Sequence, residues 1–202
     1  MNIELVKPNR AELRRAHLLE TARALFIEHG FHQTGMAQIA GASGIKVGQI
    51  YRDFASKDDI IAAICERDVA EWLDEDMLAD AVAAGDLPAV RTWMERFLQS
   101  DKSAGECRLM GEIIAEAGRS PRIAELNLSI NLRIRKNLSA ALRAIASQSS
   151  DRSEDRESLI DLILTMGMGI KMRRGVDPDM KVEPLYRCIS SIIDQRIDAL
   201  AA

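Results

Sequence analysis

Residues 46–57 concentrate side chains that can bind phosphate and the edges of bases: Lys46, Gln49, Tyr51, Arg52 and Lys57. Cations pair with phosphate oxygens. An amide such as that of Gln49 donates and accepts at once, the combination that tells one base edge from another. The usual marks of catalysis are missing. All three histidines, His17, His29 and His32, lie near the start of the chain, and the sequence holds no Gly-rich phosphate loop, zinc-ligand spacing or nucleophile elbow. The expected chemistry is binding rather than catalysis, with no metal and no cofactor.

Such side chains work only from the outer face of a rigid element. Ile39 and Ala40 give the preceding short helix an apolar inner face, and Ile45, Ile50 and Phe54 supply the matching face across a turn. Gly44 stands where the first of these helices must stop and the chain reverse, a position that favours positive φ. Gly48 leaves the middle of the second helix bare, which suits close approach to DNA or to another backbone. This is the pattern of a helix-turn-helix whose second helix enters a major groove. Lys46, Val47 and Gln49 are then expected at base edges, with Thr34, Tyr51, Arg52 and Lys57 on phosphates.

The flanking residues frame this unit. Leu18, Leu19, Ala22, Leu25 and Phe26 recur at helical spacing before Gly30, predicting a helix over 10–29. Thr34 is expected to cap the next helix. Ser56, with Asp59 three residues on, opens another. Lys57 opposes the dipole of that helix, a conflict that a bound phosphate would remove. Residues 1–9, with Lys7 and then Arg10, form either a minor-groove arm or a solvated tail.

Residues 17–61, with Leu18-Leu19, Ala22, Leu25-Phe26, His29-Gly30-Phe31, Thr34, Ile39-Ala40, Gly44-Ile45, Gly48, Ile50-Tyr51, Phe54 and Ser56-Lys57-Asp58, resemble the DNA-binding head of the TetR family of bacterial transcription regulators. The resemblance implies an all-helical homodimer, usually a repressor, that leaves its operator when a small molecule enters the C-terminal domain. Two positions depart from the common pattern. Lys46 replaces a frequent serine at the start of the recognition helix, and Asp53 replaces a histidine or tyrosine. A carboxylate is repelled by phosphate, so Asp53 is expected to accept from a cytosine amino group or to pair with Arg52.

Charge is distributed accordingly. Through residue 57 there are 8 Lys and Arg against 5 Asp and Glu, and the remainder holds 19 against 26, so a net charge of -4 conceals a basic head on an acidic body. With 202 residues and 47% hydrophobic content, the chain can bury one good core and a smaller one. No signal-peptide pattern and no membrane-length apolar run occurs, which predicts a cytoplasmic protein without membrane contact. Cys65, Cys107 and Cys188 are odd in number and far apart, favouring reduced thiols over a disulfide framework.

The expected fold is all-α with about nine helices, comprising a DNA-binding domain at 1–57 and a helical ligand-binding and dimerisation domain at 58–202. The fourth helix is predicted to run unbroken from Lys57 toward Ala84. The last two carry Ile163, Gly167, Ile170, Ile189, Ile193 and Ile197 in wide apolar stripes, expected to meet a second copy in a four-helix bundle. Packing within one chain is the alternative. Trp93, Phe97, Met110, Ile114, Asn127, Asn131 and Met166 are the candidate lining of a pocket for a small apolar or amphipathic effector, methionine adapting to varied shapes. The expected partners are double-stranded operator DNA, this effector and a second copy. The rival reading, a dimeric helical interaction or ligand-binding protein that does not read DNA, would leave Lys46, Tyr51, Arg52 and Lys57 to chance.

Overall fold

A computed structural model describes residues 9–99, 102–146 and 152–201. The proposed basic arm with Lys7 and a predicted polar loop at 147–151 lie outside the described residues. Among those described, the chain is helical without strands: α1 (Arg10–His29), α2 (Met36–Ser43), α3 (Val47–Asp53), α4 (Lys57–Leu73), α5 (Glu75–Ala84), α6 (Leu87–Leu98), α7 (Ala104–Glu116), α8 (Pro121–Ile145), α9 (Ser153–Val176) and α10 (Glu183–Ala201). The all-α class and the three-helix head are as expected.

Local sequence explains the boundaries of the head. The Asn9 side chain accepts from the amides of Ala11 and Glu12, while Glu12 accepts from the Asn9 amide at 2.9 Å, closing a reciprocal cap on α1. Leu18, Leu19, Ala22 and Phe26 face inward from α1 and meet Phe31, Ile39, Ile50 and Phe54. This core does not end with the head. It continues through Ile60, Ile61 and Ile64 of α4 to Leu109 and Ile113 of α7 and to Ile123 and Leu126 of α8. Each such side chain contributes about 1.5–3 kcal/mol when fully buried, so the start of α4 is firmly tied to the body.

The long helix predicted over 57–84 is two helices. Asp74, at φ 45, is the one described non-glycine residue with positive φ, and it both ends α4 and starts α5. No glycine or proline announces the break. It is held from outside: the Trp93 indole donates to the Leu73 carbonyl at 2.6 Å, and Arg96 lies 3.2 Å from the Asp74 carboxylate.

A second core joins α4 to α10 through Leu73, Leu78, Trp93, Leu138, Ile160 and Ile193, among others. It overturns the assignment of the pairing seam. Ile163, Ile170, Ile189, Ile193 and Ile197 retain only 1–7% of their surface because the chain buries them itself, and Gly167 lines an internal cavity. The outer surfaces of α9 and α10 instead carry Leu162 and Ile192, while Met168, also exposed, stands at the cavity.

Candidate nucleic-acid interface and ligand cavity

The turn between α2 and α3 is built as its sequence requires. Gly44 adopts φ +68, the Ser43 hydroxyl accepts from the Ile45 amide at 3.3 Å, and His17 Nε2 donates to the Ser43 carbonyl at 3.1 Å. α1 therefore holds the turn that aims α3. Ile50 is buried beneath α3, while Lys46, Val47, Gly48, Tyr51 and Arg52 are exposed. A Cβ on Gly48 would meet nothing within 4 Å, so its bare surface faces outward rather than toward another part of this chain.

The polar side chains of α3 are already engaged with one another. Arg52 donates to Gln49 Oε1, and Gln49 Nε2 lies 3.4 Å from both oxygens of Asp53. Asp53 also meets Arg14 of α1 at 3.5 Å. It thus pairs with Arg14 and Gln49 rather than with the expected Arg52. Arg15, whose type and position in α1 do not mark it as a DNA contact, lies exposed with its guanidinium 4.8 Å from the centre of the Phe54 ring, next to the end of α3.

Two expected phosphate contacts turn inward. Thr34 is 1% exposed and donates to the carbonyls of Gly30 at 2.9 Å and Leu25 at 3.3 Å. It satisfies the end of α1, and Gly35 takes the N-cap position of α2 without a side-chain bond. Lys57 donates to the Phe31 carbonyl at 2.6 Å, with its Nζ 4.3 Å from the centre of the Phe31 ring. Burial holds this ammonium below its usual pKa, although Asp58, Glu116 and Glu112 act against the shift. The same turn is gripped from α7, where Glu112 accepts from the Phe31 amide at 2.7 Å and Glu116 meets His32 at 3.0 Å. Lys57→Met should therefore lower stability by about 1.5–3 kcal/mol in denaturant unfolding, the range for a hydrogen bond from a charged group. An unchanged midpoint together with a reduced salt dependence of DNA binding would return Lys57 to the phosphates.

A cavity of about 220 Å³ lies among α4, α7, α8 and α9. Of the predicted lining, Phe97, Met110, Ile114 and Asn127 face it. Trp93 does not, because it fills the second core and bonds to Leu73. Asn131 is exposed on the outside of α8, and Met166 packs against the second core. Trp72 of α4 takes the place of Trp93, stacked on Phe97 with ring centres 4.5 Å apart. Ile163, Gly167, Ile170 and Ile189, expected between two chains, line this space as well. Cys65 does so too, and burial pushes its thiol up to about 12, far from the thiolate that a redox sensor needs.

Residues 18–64 match the model of the bacterial regulatory proteins of the tetR family. The head of the chain is thus a TetR-family DNA-binding domain. It is similar over nearly its whole length to the HTH-type transcriptional regulator UidR of Escherichia coli K12, with 28% identity over 178 residues, 88% of this chain and 86% of UidR. A transcriptional regulator from Rhodococcus sp. Rha1 shares the fold at a TM-score of 0.67 and 22% identity, covering 92% of this chain and 95% of that one. A protein from Saccharomonospora viridis, solved in complex with choline, does so at 0.60 and 21%, covering 92% and 97%. Head and full-length likeness together support a DNA-binding transcriptional regulator with a TetR-type head. No helix among the described residues is long and apolar enough to cross a membrane.

Proposed function

We propose that this protein is a cytoplasmic repressor of the TetR family that occupies a near-palindromic operator as a homodimer and leaves it when a small apolar or amphipathic effector enters the cavity among α4, α7, α8 and α9. Residues 1–57 would read DNA, and residues 58–202 would bind the effector and pair the chains. The observation that carries this reading is the course of α4. Its first turn is bonded to the reading head through Lys57 and Phe31, and Ile61, Ile64, Cys65, Asp68 and Trp72 further along form one wall of the cavity. A molecule in that cavity pushes on the element that sets the head. It favours release only if it binds better to the conformation with wrongly spaced heads.

Pairing is assigned to the outward surfaces of α9 and α10. Leu162 and Ile192 are exposed there, and Leu162 shares a shallow hollow with Ser158, Arg196 and Ala199. A patch on these two helices that meets its own copy gives an isologous dimer and two heads facing successive turns of DNA.

On the DNA, Lys46, Val47 and Gln49 are assigned to base edges, with Tyr51, Arg52 and Arg15 assigned to phosphates. The test starts from an operator selected from a random duplex library. Arg52→Ala should weaken all sites alike and lower the log–log salt slope by about one, whereas Gln49→Ala should change the selected sequence. If both variants lose the same affinity on every duplex, the division between reading and anchoring is wrong.

A further inference from the structure

Five charged side chains line the cavity: Arg23, Asp68, Lys102, Glu106 and Lys171. Four of them satisfy one another. Arg23 is paired with Asp68 and lies 3.8 Å from Glu106, while Lys102 lies 3.6 Å from Asp68 and 3.8 Å from Glu106. Lys171 is left over. Its Nζ lies 4.9 Å from the centre of the Trp72 ring, and the charged or ionisable groups that act on it are Lys102, which repels it, and the Cys107 thiol. Burial, reinforced by Lys102, holds the ammonium below its usual pKa. The lining thus has three cations against two carboxylates, and the unmatched charge faces a space walled mainly by Met110, Ile113, Ile130, Ile134 and Ile163. The amide of Asn127, another polar group there, donates to its own helix at the Ile123 carbonyl, 3.1 Å away.

A space of this kind selects by charge. A neutral apolar guest would strip water from the ammonium and offer no acceptor in return. A cationic guest would meet a charge of its own sign. An anion with an apolar body satisfies both walls, because a charge-assisted hydrogen bond is worth roughly twice a neutral one. The volume of about 220 Å³ suits a compact guest.

We propose that the effector is a small amphipathic carboxylate whose head group pairs with Lys171 beside the face of Trp72 and whose apolar body lies between α7, α8 and α9. This rests on the effector reading given above and narrows it to one class of ligand. Arg23 and Lys102, already neutralised, leave the recognition of the anion to Lys171.

Calorimetric titration of the full chain with octanoate, octan-1-ol and octylamine, at constant ionic strength, tests this directly. The wild type should bind octanoate at least about tenfold more tightly than octan-1-ol, and octylamine most weakly. Lys171→Met keeps the apolar stem and should remove the preference for octanoate while retaining octan-1-ol. Lys171→Glu should invert the series in favour of octylamine. Thermal unfolding of both variants checks that they fold. If one does not, the other together with the wild-type series decides. Equal binding of octanoate and octan-1-ol, absence of binding by octanoate, or a preference that survives Lys171→Met would overturn the assignment. Anisotropy of the selected operator separates the two claims. Binding of octanoate without DNA release refutes the effector reading alone, and release by octan-1-ol with no advantage for octanoate refutes the carboxylate alone.

Discussion

Ile193→Asp should cost the fold at least ~3 kcal/mol, because it places an unpaired carboxylate in a site that is 1% exposed and removes an isoleucine from the second core. Against a total stability of roughly 5–15 kcal/mol, much of the chain would be unfolded or close to it at moderate temperature. Ile192→Asp, one residue away, changes the outward face of α10 and should leave the thermal midpoint within a few degrees while splitting the proposed dimer. Circular dichroism and sedimentation velocity read the two effects separately. If Ile193→Asp yields a well-folded monomer and Ile192→Asp a normal dimer, the inner and outer faces of α10 have been exchanged.

Met110→Trp should abolish effector-driven release while preserving operator affinity within about threefold. Met110 reaches the cavity from α7, and an indole there is bulkier and stiffer than the thioether it replaces, so it obstructs a space of about 220 Å³. Overpacking costs typically ~1–3 kcal/mol, which the fold can bear. The variant is compared with wild type by operator anisotropy against the compound that dissociates the wild-type complex. Dissociation over the same concentration range would place the effector elsewhere.

The sequence made the head legible because its constraints are local. Gly44 at positive φ, Ser56 bonded to the Asp59 amide, and Ile39, Ile50 and Phe54 packed inward all follow from positions a few residues apart. Lys57 and Thr34 misled for a related reason. Residue type and neighbourhood suggested a phosphate, while what claims them is main-chain carbonyls of the turn after α1, Gly30 for Thr34 and Phe31 for Lys57, which residue type does not announce. The stripes on α9 and α10 posed a harder problem. Periodicity shows that one side of a helix is buried but not whether the covering surface comes from the same chain or another copy, and here α7 and α8 cover α9 while α6, α8 and α9 cover α10. The choice between the two tryptophans depended on the end of α4. Had the helix continued past Asp74, Leu73 would have kept its carbonyl for the ladder, and Trp93 would have lacked the acceptor that draws it into the core.

The bonds among Arg52, Gln49, Asp53 and Arg14 have a consequence for searching a genome. In the free protein Gln49 already has an acceptor and a donor of its own, so a base pair must compete with that internal arrangement before it gains anything. A mismatched site that offers only one bond returns Gln49 to its neighbours at little loss, and the protein can move on along the phosphates. A matched site that engages both ends of the amide also frees Arg52 to turn toward the duplex, while Asp53 keeps its partner Arg14. Under the proposed assignment of Gln49 to a base edge, discrimination would rise in a step rather than bond by bond, because the bonds to Arg52 and Asp53 must be given up together.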